Sequence, residues 1–256
     1  MSRINLLLPV GLRRLLDYRN RLRALGISPG LSYSRRYRQA LEISCIEIFP
    51  RESLTALKRV VDVGANVGEW SLGIACLTNA REIIAFEPNP PVFEQLLRNS
   101  IHEKRITCVQ KAIGSNIGTI GFNVEASHRM SSILPLKGWA REFHGSGGRT
   151  EEITVPISTL DHELSSYDEI SLLKLDVQGY ESQVIEGGKD VLKRTKILMT
   201  EIVYNSYYEN DSCALDLVNL ITTASPLRLW GISAPGCSPS GRPLVADAIF
   251  VNSDYS

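Results

Sequence analysis

An aspartate sits inside a short β-branched run, and two glycines four residues apart follow it: Val60-Val61-Asp62-Val63-Gly64-Ala65-Asn66-Val67-Gly68. Glycines between a strand and a helix let main-chain amides approach a ligand with no side chain in the way. Twenty-three residues beyond Gly64 comes Glu87, at the end of Ile83-Ile84-Ala85-Phe86-Glu87. A carboxylate there can accept hydrogen bonds from both hydroxyls of a ribose, so Gly64 and Glu87 together describe a nucleoside site at the open end of a parallel sheet. Two further acids close apolar runs: Asp176 after Leu172-Leu173-Lys174-Leu175, and Glu201 after Leu198-Met199-Thr200. Asp and Glu at strand ends often cap the next helix. Yet Asp176 follows a lysine at the end of a buried run, where charge is costly without a task.

The spacing speaks to the ligand. A dinucleotide fingerprint is Gly-x-Gly-x-x-Gly, with glycines against a pyrophosphate. Here the pattern is Asp-x-Gly-x-x-x-Gly, with no middle glycine and a carboxylate near the strand end. That suits a ligand with a ribose, no phosphate and a cationic centre, which is the profile of S-adenosylmethionine. A plain tight turn is the bland alternative, and the Glu87 offset argues against it.

These residues need a scaffold that brings strand ends together. Strands are expected at Arg59–Val63, 82–87, 106–110, 170–176 and 196–202, and helices at Glu69–Leu77, 91–99, from Glu181, and 212–223. Repeated β-then-α units of this length mean a parallel sheet with helices on both faces. Residues 118–124 and 153–157 read as extra strands, and the polar stretch 125–149 between them as a binding loop or lid. The link between the last two strands, 228–232 and 246–252, is rich in proline and glycine and too short for a crossover helix. Those strands should be antiparallel neighbours.

With 256 residues, 43% apolar and 22% charged, the chain falls in the soluble globular class and holds one domain plus an appendage. Zero net charge gives no reason to expect nucleic acid as a partner. The charge is unevenly spread, however. Nine arginines and one acid, Asp17, leave residues 1–40 at +8, so the remaining 216 residues carry −8. Within 1–40, Leu12, Leu15, Leu16, Leu22 and Leu25 recur at helical steps with arginines between. A second helix is expected over 35–49. Five scattered cysteines form neither a disulfide framework nor a zinc pattern. A reduced, cytoplasmic compartment is expected, with peripheral contact at the inner membrane face as an option for the basic helix. The apolar stretch 4–10 is a poor leader and too short to span a bilayer.

Four segments carry a family resemblance: residues 61–68, Phe86-Glu87-Pro88-Asn89-Pro90, Leu173-Lys174-Leu175-Asp176-Val177-Gln178-Gly179-Tyr180-Glu181 and Met199-Thr200-Glu201-Ile202. Together they resemble the FkbM family of S-adenosylmethionine-dependent methyltransferases, from about Val60 to Asn252. The third segment is the most family-specific, and residues 1–55 gain nothing from the comparison. The resemblance implies a Rossmann-like, seven-stranded α/β methyltransferase sheet, mostly parallel with an antiparallel last strand. That domain spans 56–256 and follows a basic helical N-terminal extension, 1–55. The implied activity is O-methylation of a hydroxyl on a sugar, glycolipid or secondary-metabolite acceptor. By position, Asp62, Gly64, Asn66 and Gly68 would hold the methionine end of the cofactor, Glu87 the ribose and Ala112 the adenine edge. Lys111 departs from the acid or asparagine common near the adenine, which leaves Ile113 and backbone groups to hold the base.

The mechanism asks for an aligned acceptor oxygen and a base. Asp176 is the first candidate for base or orienting group, Glu201 the second, with His162 and His144 less favoured. A divalent metal on Asp176 and Glu201 is a minor option, because no ligand-spaced cluster supports it, and no metal is assigned. Tyr180, Trp139, Tyr204, Tyr207 and Tyr208 could shape an acceptor pocket. A nicotinamide-dependent oxidoreductase and a non-catalytic scaffold in a biosynthetic complex stay open as alternatives. For the extension, the choice is between a leucine stripe capping the domain and a basic face on anionic lipid. If it binds lipid, deleting residues 1–40 weakens co-sedimentation with anionic vesicles. Unchanged sedimentation assigns the capping role.

Overall fold

The computed structural model describes residues 56–143, 150–238 and 240–255. The basic segment 1–55, with its expected helices, lies outside the described residues, as do His144 and the Gly145–Gly148 run.

Eleven strands are described: β1 (Arg59–Val63), β2 (Glu82–Phe86), β3 (Ile106–Val109), β4 (Ala112–Ile113), β5 (Gly118–Val124), β6 (Glu151–Ser158), β7 (Ile170–Leu175), β8 (Thr195–Val203), β9 (Leu227–Ile232), β10 (Gly236–Cys237) and β11 (Pro243–Asn252). Seven α-helices accompany them: α1 (Glu69–Leu77), α2 (Pro90–Ser100), α3 (Gly138–Phe143), α4 (Leu160–Glu163), α5 (Glu181–Glu186), α6 (Lys189–Lys193) and α7 (Ala214–Ala224). The main sheet runs β3-β2-β1-β7-β8-β11, with both β9 and β10 paired to β11. Strands β3, β2, β1, β7 and β8 are mutually parallel, and β11 runs antiparallel to β8 and to β9. The expected sheet is therefore present, with the two-residue β10 added at one edge.

Burial explains which runs became central. Every residue of β7 is buried, Lys174 included, as a strand covered on both faces requires. Strand β1 lies between β2 and β7, so the chain winds outward in one direction to β3 and in the other to β8. The crevice at this reversal, outside the carboxyl ends of β1 and β7, is where open α/β sheets take ligands. The helices face the sheet through i, i+4 pairs: Trp70 and Ile74 of α1, Val92 and Leu96 of α2, and Leu217 and Ile221 of α7. Pro90 and Pro91 open α2, where a missing N–H costs nothing. Gly187 ends α5, and a side chain there would strike the Gly114 carbonyl, 2.0 Å from an added Cβ.

A second, three-stranded sheet, β4-β6-β5, sits beside the first with its own small core of Ala112, Phe122, Val155 and Ile157. Strands β5 and β6 are antiparallel along their length. The polar stretch that separates them in sequence therefore leaves from one end of a hairpin. It includes a 3-10 turn at His128–Met130 and helix α3, so part of the expected lid is ordered structure. Among the described residues, no helix is long and apolar enough to cross a membrane.

Candidate active site

A cleft of about 430 Å³ opens at the sheet reversal, within the range of small-molecule sites. Gly64 and Asn66 from the β1–α1 turn, Glu87 after β2, Ala112, Asp176 after β7 and Glu201 of β8 all line it. Asp62 and Gly68 do not share that surface: Asp62 has no exposed area, and Gly68 starts α1 at a φ of 86° with Leu96 packed against it.

The glycine turn is held by the protein itself. The Gly64 and Ala65 amides both donate to the Phe86 carbonyl, at 3.0 and 2.9 Å. The Asn66 amide donates to Glu87 Oε2 at 2.9 Å, the Val67 amide to Asn66 Oδ1 at 2.8 Å, and the Gly68 amide to the Ala65 carbonyl at 2.9 Å. These five amides are thus spent within the chain, contrary to the expectation that they meet a ligand directly. Gly64 is required for another reason: at φ 81° an added Cβ would lie 1.9 Å from the Asp176 carbonyl, so glycine lets β1 and β7 close at their ends. What the turn offers the cleft is a pinned Asn66 and the start of α1, which has no side-chain cap.

Glu87 is buried at one end of the cleft. Its two oxygens accept the Asn66 and Asn89 amides, both at 2.9 Å. Burial is the main force on its carboxyl and raises the pKa to about 7, with Asp62 and Asp176 adding repulsion and the two amides opposing it. Each oxygen keeps a lone pair for a further donor. Lys111 also lines the cleft, but its ammonium is engaged by Glu163 at 2.7 Å, which leaves Ala112, Ile113 and Phe122 as an apolar wall.

Lys174 organises the other end. Asp62 and Lys174 are register partners on β1 and β7. The buried ammonium lies 3.3 Å from Asp62 Oδ1 and 3.1 Å from Asp176 Oδ2. Burial works against its charge, but the two carboxylates outweigh burial and raise its pKa. Ser71 of α1 donates to Asp62 Oδ2 at 2.6 Å, so Asp62 locks the helix to the sheet beneath the cleft. Burial likewise disfavours charge on Asp176, but Lys174 and hydrogen bonds from Gln178 and Lys174 prevail and hold its pKa below the usual value. About a third of the Asp176 side chain is exposed, 35%, so an ionised carboxylate faces the cleft.

Glu201 behaves oppositely. Burial first, then the charges of Asp176, Glu181 and Asp247, raise its pKa well above the ordinary carboxyl value. Asp247 stands directly across the β8–β11 pairing from Glu201 and lines the same cleft. Two carboxyls side by side, one ionised and one driven toward its neutral form, are an arrangement that separates acid–base roles.

Several cleft residues went unrecognised in the sequence. Asp247 was findable as a lone acid in the apolar strand Val245-Ala246-Asp247-Ala248-Ile249. Trp70, Arg129 and Met130 had no signal of their own. Arg129, in the 3-10 turn, reaches Glu69 at 2.6 Å and so brings the β5–β6 insertion to the start of α1. Of the aromatic candidates, Tyr207 lines the cleft and packs against Trp139 in a tilted pair, with ring centroids 5.4 Å apart and planes at 40°. Tyr204 is exposed, Tyr180 packs on the small sheet's core, and Tyr208 is buried. His162 is exposed on α4 away from the cleft, where its amide takes the Thr159 cap.

Comparison with known proteins follows the same lines. The family model described as the methyltransferase FkbM domain matches residues 62–224, more than half of the chain. The 2-O-methyltransferase NoeI of Sinorhizobium fredii is 28% identical over 158 residues, 59% of this chain and 65% of that protein. The hexuronic acid methyltransferase AglP of Haloferax volcanii is 26% identical over 151 residues, 55% of this chain and 54% of that protein. The chain thus spans less than two-thirds of the length of either relative. The crystal structure of methyltransferase FkbM from Methylobacillus flagellatus superposes with a TM-score of 0.50 at 14% identity, over 91% of this chain and 59% of that one, and shares the fold.

The Asp62–Lys174 pair gives a direct test. Lys174→Met strands a carboxylate with no exposed surface and should cost about 3–5 kcal/mol in denaturant unfolding. Adding Asp62→Asn should restore part of that loss. Strictly additive losses in the double-mutant cycle would show that the two side chains do not interact.

Proposed function

We propose that this chain, which belongs to the methyltransferase FkbM domain family, transfers the methyl group of S-adenosylmethionine to a hydroxyl oxygen of a sugar or sugar-like acceptor. The carrying observation is the polarity of one cleft: a buried carboxylate, Glu87, at one end, an apolar wall beside it, and Asp176 with Glu201 at the other. The two curated relatives, a 2-O-methyltransferase and a hexuronic acid methyltransferase, support the acceptor class. On this reading, residues 56–256 are the cofactor-binding domain and 1–55 a basic extension to it.

The residues present fit the cofactor. Glu87 has a free lone pair on each oxygen for the two ribose hydroxyls. Ala112, Ile113 and Phe122 offer an apolar slot for the base. Gly64, Asn66 and the uncapped start of α1 lie where the amino-acid end would rest. Asp62 and Gly68 serve this site from behind, by fixing the turn and the helix. When bound, the cofactor supplies a methyl group made electrophilic by its sulfonium charge.

The chain must then hold an alcohol in line and take its proton. Asp176 is ionised, fixed on both oxygens and open to the cleft, so it orients the acceptor by accepting its O–H. Its lowered pKa makes it the weaker base. Glu201, with its pKa raised, is the stronger base once ionised, and it takes the proton. Tyr207, which lines the cleft and packs against Trp139, gives the sugar ring an aromatic neighbour.

Calorimetric titration of the full chain with S-adenosylmethionine and with NAD tests the cofactor assignment. Binding of the first but not the second is expected, and the reverse result would overturn the reading. Affinity should fall as pH drops below about 7, because Glu87 protonates and loses the charge that the ribose hydroxyls need. Glu87→Gln should lower affinity about 10–100-fold and remove that pH dependence, consistent with hydrogen bonds to a charged group.

A second experiment reads the chemistry, with radiolabelled donor and a panel of neutral and uronic methyl glycosides. Turnover should rise with pH as Glu201 ionises. Glu201→Gln should flatten the profile and cost about 10²–10⁴-fold in kcat. Asp176→Asn should abolish most turnover while cofactor binding stays measurable. A Glu201→Gln enzyme with the wild-type profile would remove Glu201 from the role of base.

A further inference from the structure

The turn that follows β7 carries an arrangement that the reaction scheme above leaves unused. Gln178 has a backbone φ of 56°, in the left-handed region that non-glycine residues seldom occupy, and Gly179 follows at 94°. Such a conformation persists only where the surroundings over-determine it. Three contacts do so. Ser132 Oγ donates to the Gln178 carbonyl at 2.6 Å. Gln178 Nε2 donates to Asp176 Oδ1 at 2.7 Å. Tyr208, almost fully buried, donates its hydroxyl to Gln178 Oε1 at 2.9 Å and lies 3.1 Å from the Met130 carbonyl.

The chemistry of these groups permits one orientation of the Gln178 amide. A carboxylate only accepts, and burial keeps the Tyr208 phenol protonated, with its pKa raised further by the nearby acids. A flipped amide would set Oε1 against the Asp176 carboxylate, acceptor against acceptor. Asp176 therefore selects the amide face, and the Tyr208 hydroxyl holds the amide in place by donating to Oε1. Gly179 makes room for this contact, since an added Cβ would lie 3.0 Å from Tyr208 Cδ2.

We propose that Gln178 and Tyr208 form a positioning relay that aims the Asp176 carboxylate at the acceptor. This rests on the methyltransferase reading for what Asp176 does, but the relay itself is a statement about how its side chain is held. Neither residue touches the reacting atoms; both act through Asp176. With Lys174 fixing Oδ2 and Gln178 fixing Oδ1, the carboxylate plane is set by one donor from β7 and one from the turn after it.

The test reads Asp176 directly, in full-length protein with 13C-carboxyl-labelled aspartate and the resonance assigned by its loss in Asp176→Asn. The charged groups that act on this carboxylate are Lys174 on β7, Arg129 in the 3-10 turn, Glu87 after β2, Glu181 on α5 and Glu201 on β8. None is altered by the substitutions. Tyr208→Phe keeps the ring and removes the hydroxyl. Gln178→Asn tolerates the left-handed backbone and shortens the reach.

In titrations from about pH 7 down through the wild-type midpoint, each variant should move Asp176 upward by about half to one pH unit relative to wild type. Affinity for S-adenosylmethionine should stay within about twofold, a split that general loss of structure does not produce. Should one variant fail to fold, the other carries the measurement. Wild-type titration of Asp176 in the folded variants would overturn the relay. Failure of the wild-type chain to bind S-adenosylmethionine would overturn the methyltransferase reading while leaving the relay measurement intact.

Discussion

A single buried ammonium holds the centre of this molecule together. Lys174 stands near the carboxyl end of a strand buried along its whole length and answers two carboxylates at once, one beneath the cleft and one within it. A charge so deep is tolerated only when paired and hydrogen-bonded. That condition makes Asp62, Lys174 and Asp176 a unit, and Ser71 extends the unit to the first helix. The glycine turn, the helix start and the cleft acid are therefore set relative to one another by electrostatics, not by the turn's own flexibility. The five amides of the turn that bond within the chain express the same rigidity.

From that constraint follows the contrast between the cleft acids. Asp176 touches the ammonium and stays ionised; Glu201 faces other carboxyls and is driven toward its neutral form. In the proposed reaction a cation enters this acidic surrounding and a neutral thioether leaves it. The carboxylates favour the reactant complex over the product complex, so the same charges that help to bind the donor help to release what is left of it. Acid clusters are often read as metal sites, but this one has a lysine at its heart and an organic cation as its proposed guest.

Much of the fold was legible because periodicity and glycine placement report the backbone directly. The run from Ile170 to Leu175 could only be a strand buried on both faces, and the proline-rich link after Ile232 forced an antiparallel ending. The strand-end rule then found Glu87, Asp176 and Glu201, since sheet geometry brings those ends to one crevice. It misassigned the surroundings of Asp62, because a strand-end acid near a glycine turn looks the same whether it faces a ligand or a lysine. Asp247 was passed over because it sits within an antiparallel strand, where the rule about carboxyl ends does not apply. Tyr208 and Gln178 were visible only as types: their pairing joins residues thirty positions apart through loops with no period to read.

The β5–β6 insertion is fastened to the body at several points beyond its own hairpin. Leu136 bridges to Tyr208, Lys137 bonds to the Tyr207 carbonyl and to Ser206, and Met130, Leu136 and Ala140 share a small core with Tyr207, Tyr208 and Leu244. On the proposed reading, the wall that would meet the acceptor is thus woven from two stretches of chain some seventy residues apart. If those segments select the acceptor, a change of acceptor would not come from swapping one loop. The segments after β5 and after β8 have to change in concert, and relatives with different acceptors should differ in both or in neither.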